Sequence, residues 1–209
     1  MEHSNRRIIL IAGGSCSGKT ILAKGLEREL GSHGSVRLIS IDNYYYDLSD
    51  WDPVEADNKN FDSPDSINFE LLNQHLESLI AGKPIPNQLY DFKYHTVFQD
   101  GQLIHSADFL LVEGIFALHY MALRDLASIS IFMSINDELR YGRRMQRDTT
   151  ERRLPVELVE RQFSEDVRPM HNRYVEPTAF FADLVLDSGI DCPDKKLSDS
   201  MDFILTAIK

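Results

Sequence analysis

Residues 8–12, Ile-Ile-Leu-Ile-Ala, are an unbroken apolar run, and Phe109–Val112 is another. A run without polar alternation reads as a strand covered on both faces. Val36–Ile41, Ile129–Ile135 and the short Leu184–Leu186 read as strands too. Between them the period changes to that of a helix, from about Gly18 to Leu30, from Phe69 to Ala81 and from Asn136 to Asp148. Gly82 and Pro84 stop the second of these helices, and Asn136 is placed to cap the third. Pro155 suits the first turn of a further helix, running to about Val175 with a bend at Pro169. Leu197–Ile208 closes the chain as a helix. Strands alternating with helices predict an α/β fold, a parallel five-stranded sheet with helices on both faces. Two stretches stand outside this scheme. Asp42 to Ser66 is polar, aromatic and aperiodic, with Pro53 and Pro64, and predicts a loop lining a substrate site. Residues 85–106 alternate loosely around a turn signal at Asp100-Gly101, and predict a β-hairpin standing off the main sheet.

A length of 209 residues suits one domain over 1–209, with the hairpin as an insert and a charged lid at about 144–156. No apolar run approaches the roughly 20 residues needed to span a bilayer. The start, Met1 to Arg7, leads straight into the first strand without a signal-peptide pattern. Two cysteines, Cys16 and Cys192, make no disulfide framework. The expected location is the cytoplasm. A net charge of −11 argues against nucleic acid as partner. Against that acidic background, Arg143, Arg144, Arg147, Arg152 and Arg153 crowd into one segment. Such a cluster serves either a small anionic ligand or a solvated helix face.

The first strand runs into Gly13-Gly14-Ser15-Cys16-Ser17-Gly18-Lys19-Thr20. This is a phosphate-binding loop between a strand and a helix. Gly13 and Gly18 let backbone N–H groups turn toward phosphate oxygens, Lys19 supplies a point charge, and Thr20 offers a hydroxyl to Mg²⁺. The helix N-terminus adds to the anion site. The ligand expected here is a nucleoside triphosphate, ATP or GTP. Phosphoryl transfer is mostly positioning and electrostatics, so the partners of the loop are groups of fixed type. Asp42 follows the second strand, where it can take a hydroxyl proton, hold Mg²⁺ or simply cap the strand end. Glu113 ends the third strand and reads as a metal-coordinating carboxylate. Arg144 and Arg147, three apart, share a helix face and suit a closing lid. Tyr44, Tyr45, Tyr46, Tyr90, Phe92, Tyr94 and His95 are dense in the two aperiodic regions. Tyr90 and His95 have polar tips suited to a ligand edge, whereas Phe92 reads as packing the hairpin onto the sheet. Cys16 is either a reactive thiol near a helix N-terminus or a small residue that fits the turn.

Together these residues resemble the uridine (uridine–cytidine) kinase family. The resemblance runs from Ile8 to about Asp191. It rests on Gly13–Thr20, Ile41-Asp42-Asn43-Tyr44-Tyr45, Asn60-Phe61-Asp62-Ser63-Pro64-Asp65, Ala81-Gly82-Lys83-Pro84, Tyr90-Asp91-Phe92 with His95, Glu113-Gly114-Ile115, Arg143-Arg144 with Arg147-Asp148, Val167-Arg168-Pro169-Met170, and Ala182-Asp183. It implies a P-loop kinase that phosphorylates the 5′-hydroxyl of uridine or cytidine with ATP and Mg²⁺, in a homotetramer. Asp42 then matches the general base, beside the metal held by Thr20 and Glu113. Asp62 matches the carboxylate on the ribose 2′- and 3′-hydroxyls. Tyr90 and His95 match readers of the base, and Tyr45 belongs to the same nucleoside-site motifs. Arg144 and Gln162 match nucleoside contacts, Arg147 and Arg152 match lid cations, and Asp191 matches a position near the ATP base. The chain departs from the family pattern in four places. The lid reads Glu151-Arg152-Arg153-Leu154-Pro155 where Glu-Arg-Gly-Arg is common, and Val97 stands where an arginine follows the base-reading histidine. Phe163 replaces a tyrosine, and Trp51-Asp52-Pro53 is unusual. Other readings compatible with the loop are a kinase for nicotinamide riboside, pantothenate or a sugar phosphate, and a nucleotide-binding regulator without transfer.

Overall fold

The computed structural model describes residues 6–189 and 203–206. The chain builds β1 (Arg7–Gly13), α1 (Lys19–Leu30), β2 (Val36–Ser40), α2 (Pro53–Asp57), α3 (Phe69–Ile80), β3 (Ile85–Asp91), β4 (Thr96–Ile104), β5 (Phe109–Glu113), α4 (Met121–Leu126), β6 (Ile129–Ser134), α5 (Asp137–Thr150), α6 (Val156–Gln162) and β7 (Leu184–Asp187). Five strands form one parallel sheet in the order β2-β5-β1-β6-β7, and β3 and β4 pair apart from it. Successive side chains of β1 serve opposite faces. Ile9 and Ile11 pack with Leu22, Ala23, Leu26 and Leu30 of α1. Ile8 and Leu10 pack with Leu72, Leu76 and Leu79 of α3. That double coverage is why β1 shows no polar alternation.

The strand order reverses around β1, which puts the chain's ligand crevice at the C-terminal ends of the central strands. Ile11 of β1 and Ser40 of β2 are both level with Glu113 of β5. The phosphate loop, Asp42 and Glu113 therefore leave the sheet along one edge, although more than 90 residues separate the loop from Glu113 in sequence.

The structure corrects three local expectations. The hairpin reverses at residues 92–95, not at Asp100-Gly101, since Asp91 pairs with Thr96 and Leu89 with Phe98. Between Pro86↔Leu103 and Gln88↔Gln99, β3 advances two steps and β4 four. Asp100-Gly101 sits in that bulge, with Gly101 at φ 78°. An Asp-Gly pair suits any positive-φ site, turn or bulge alike, so the dipeptide alone does not choose. The aperiodic stretch after Asp42 contains α2, whose N-terminus is capped by Asp52 accepting from the Val54 and Glu55 amides. Five residues are too few to show a period. Finally, α5 remains helical to Thr150, two residues beyond the expected helix end at Asp148.

Other expectations hold. Asn136 caps α5 by accepting from the Glu138 amide. The helix beyond Pro155 continues from α6 to Val175 through two wide i→i+5 turns, Phe163–Val167 and His171–Val175, on either side of Arg168–Met170. Pro169 has no N–H to donate, and the wide turns accommodate it. Of the expected closing helix, residues 203–206 are helical and the rest lies outside the described residues. Among the described residues no helix is long and apolar enough to cross a membrane.

Candidate active site

The phosphate loop is shaped by backbone that side chains would obstruct. Gly13 adopts φ 144°, and a Cβ there would stand 2.6 Å from the Met133 carbonyl oxygen. Gly18 lies at φ 89° and precedes α1 without a side-chain cap, and the first turn carries no acidic residue. The N–H groups at this helix end therefore remain available to an anion. Cys16 takes φ 64°, unusual for a residue with a Cβ. Lys19 folds back, its Nζ donating to the Gly14 oxygen at 3.4 Å. The Ser17 amide donates to that same oxygen at 3.1 Å.

The loop opens on a cavity of about 1260 Å³, walled by Ser15, Cys16, Gly18, Lys19 and Thr20 on one side. Asp42, Tyr45, Phe61, Asp62, Phe92, His95, Arg144, Arg147, Arg152, Leu154 and Gln162 are among the residues that line the remainder. Glu113 is buried beside Thr20, accepting from the Thr20 hydroxyl at 3.3 Å and the Ser40 hydroxyl at 3.0 Å. Burial pushes its carboxyl above the ordinary glutamate range, and the Lys19 ammonium acts against that shift. Asp62 is likewise raised by burial, with Arg144 opposing.

Three of the five clustered arginines, Arg144, Arg147 and Arg152, line the cavity, whereas Arg143 is exposed and donates to the Ser188 main-chain oxygen at 2.9 Å. Arg144 Nη1 donates to the Ser15 hydroxyl at 3.1 Å, which joins α5 to the phosphate loop. Arg147 Nε donates to Asp148 Oδ1 at 2.8 Å. Arg152 lies with its guanidinium 5.5 Å from the Phe92 ring centre. Arg153 is exposed at φ 56°, and it is Leu154 that faces the cavity. Arg153 is not among the residues that line the cavity.

The aromatic wall is a packed group. Phe61 and His95 stack at 4.7 Å, and the Tyr90 hydroxyl lies 3.4 Å from His95 Nδ1. Tyr45 meets Phe61 edge-on at 5.4 Å. Tyr90 is buried behind this layer rather than on the cavity surface, and its hydroxyl meets His95, which does line the cavity. Phe92 packs edge-on against Tyr90 at 5.1 Å and Tyr45 at 6.1 Å, as expected, and is also 45% exposed on the cavity wall. Asp191 lies outside the described residues.

Two features were not read from the sequence as site elements. Asp148 is fully buried among the arginines. Its position four residues from both Arg144 and Arg152 was the available signal. Beneath Gly14 lie Arg140 and His171, close enough that a Cβ on Gly14 would meet each at 2.9 Å. His171 Nε2 faces Glu176 Oε2 at 3.0 Å, while Nδ1 has no hydrogen-bond partner. Burial, reinforced by Arg140, lowers the His171 imidazole to about 4. The unfolded chain therefore binds this proton first, so the stability is complete above about pH 6.5 and is lost as pH falls toward 4. We expect a loss of roughly 3 kcal/mol at most across that window. Urea titrations from pH 7 to pH 4 should show a slope that His171→Phe flattens; equal slopes would exclude His171 as its source.

The family model described as "Phosphoribulokinase / Uridine kinase family" matches residues 8–194. Among curated relatives, a uridine kinase of Staphylococcus epidermidis is 39% identical over 182 residues, 87% of each chain. A uridine kinase of Halobacterium salinarum is 36% identical over 179 residues, 86% of this chain and 79% of that one. Among solved structures, the phosphoribulokinase of Rhodobacter spheroides superposes with a TM-score of 0.63 at 13% identity, covering 88% of this chain and 70% of that one. That last likeness concerns the fold.

Proposed function

From the premise that the chain belongs to the phosphoribulokinase/uridine kinase family, we propose that it transfers the γ-phosphate of ATP to the 5′-hydroxyl of uridine or cytidine. The chain is an ATP-dependent kinase of a small-molecule substrate. The observation that carries the nucleoside reading is a single cavity holding a phosphate loop, Asp42 and, beside an aromatic wall, the partly buried carboxylate Asp62. The proposal also takes residues 1–209 as one catalytic domain, cytoplasmic and homotetrameric, with no nucleic acid or membrane partner. GTP is the alternative donor.

In this reading the acceptor sits between Asp62 and Asp42. Asp62 accepts from the ribose 2′- and 3′-hydroxyls, His95 and Tyr90 select the pyrimidine edge, and Tyr45, Arg144 and Gln162 complete the nucleoside site. Asp191 falls to the ATP base. Asp42 takes the proton of the 5′-hydroxyl as that oxygen bonds to the γ-phosphorus and the bond to the bridging oxygen breaks. The amides from Gly13 to Thr20, Lys19, Arg147 and Arg152 balance the charge on the phosphates as it shifts. Thr20, Asp42 and Glu113 offer only oxygens, which suits Mg²⁺. Among the described residues no three His, Cys, Asp or Glu side chains gather as a metal cage. The fit is therefore to an ion that keeps phosphate and water ligands, and when bound it neutralises phosphate charge.

A coupled ADP-release assay with uridine, cytidine, deoxyuridine, adenosine, nicotinamide riboside and pantothenate tests the proposal. Turnover on the two pyrimidine ribosides supports it. Turnover on another acceptor alone would mean that Leu154 and Val97 have redirected the site. Cys16 gives a second test, since it lines the cavity within the loop. Alkylation by N-ethylmaleimide should abolish ATP binding, and complete modification with unchanged turnover would refute that.

A further inference from the structure

One carboxylate holds three arginines at the edge of the cavity. Asp148 Oδ1 lies 2.8 Å from Arg147 Nε and 3.5 Å from Arg152 Nε, and Oδ2 lies 3.2 Å from Arg144 Nε. The Asp148 side chain has no exposed surface. Its main-chain oxygen also accepts from the Leu154 amide at 2.9 Å, so the same residue ties down the chain break that carries Arg152. Asp148 is the carboxylate in ion-pair contact with all three arginines, while Asp42 and Asp62 act on them from farther off. The bonding is incomplete, since the buried atoms Asp148 Oδ2 and Arg144 Nε lack a hydrogen bond of good geometry. All three arginines line the cavity.

We infer that Asp148 is a positioning residue, an internal counter-anion that keeps Arg144, Arg147 and Arg152 aimed at the cavity until nucleotide phosphates arrive. The inference rests on the kinase reading above. Three guanidiniums at this spacing repel one another, and the shared anion offsets that repulsion. Held by Asp148, they meet the phosphates already oriented, which lowers the reorganisation needed during transfer. The holding has a consequence for ATP binding. Phosphate oxygens must compete with the carboxylate for the same donors. Arg152 makes the longest of the three contacts and has the most exposed side chain, 41%. It is the arginine released first.

Asp148→Asn in the full chain keeps the shape and removes the charge. Orientation is lost, so kcat should fall about 10- to 100-fold. Competition is lost too, so KM for ATP should stay level or fall. Asp148→Glu should recover part of kcat. An unchanged kcat, or a raised KM for ATP with kcat kept, would overturn the inference, as neither follows from a lost counter-anion. If the Asn variant is insoluble, ¹⁵N spectra of the wild-type arginine Nε groups decide. On adding a non-hydrolysable ATP analogue without acceptor, the Arg152 signal should move more than that of Arg144. A stationary Arg152 signal would overturn the idea. Failure of the kinase reading looks different: wild-type protein turning over no acceptor at all.

Discussion

Asp42→Asn should lower kcat with uridine by about 10²–10⁴-fold and leave ATP binding nearly intact, the range for losing a positioned general base. Asp42 is the second residue of the Ile41–Tyr44 turn after β2 and lines the cavity along the sheet edge shared by the phosphate loop and Glu113. The amide of Asn is similar in shape but cannot accept the hydroxyl proton. The loss should therefore fall on the chemical step rather than on capture of either substrate. Steady-state kinetics with ATP and uridine varied separately make the distinction. A loss of only a few-fold would mean that Asp42 positions the acceptor without taking its proton.

The second large effect is expected at Asp62. Two hydrogen bonds to a charged acceptor are worth about 1.5–3 kcal/mol each. Asp62→Ala should thus reduce kcat/KM for uridine by about 10²–10⁴-fold. Deoxyuridine should already be a poor substrate of the wild type, because the missing 2′-hydroxyl takes one of two donors from a desolvated carboxylate. It should lose far less than uridine in the variant. That collapse of preference is the diagnostic result. Burial already raises the Asp62 carboxyl above its ordinary range, so a ligand that supplies two donors should bring it down. Retained preference for the riboside after Asp62→Ala would contradict the ribose assignment.

The legibility of this chain in its sequence follows how local the physics is. The phosphate loop is a matter of eight consecutive residues between a strand and a helix, and the sheet strands announce themselves as apolar runs because both faces are covered. Asn136 caps α5 through an amide two residues away. These features need no distant partner, so residue order was enough to expect them. The hairpin was legible as a hairpin, but not its turn: Asp100-Gly101 supplies a positive φ, and the β3 register turned it into a bulge.

The arginines mark the other limit. Their spacing from Asp148 is in the sequence, yet the same spacing describes a solvated charged helix. Only the approach of the phosphate loop, with Ser15 against Arg144, and the return of the chain at Leu154 made Asp148 a buried residue. Tyr90 is buried off the cavity surface although its polar tip suited a ligand edge, while Phe92, two residues on, both packs against Tyr45 and Tyr90 and reaches the cavity wall. The sequence by itself determined the strand and helix segments, the nucleotide loop and the residue types able to carry phosphoryl transfer, because each depends on neighbours along the chain. The tertiary structure decided which of those groups share a cavity, which are buried and which charges oppose one another. Those properties depend on distances between segments that the parallel strand order brings together.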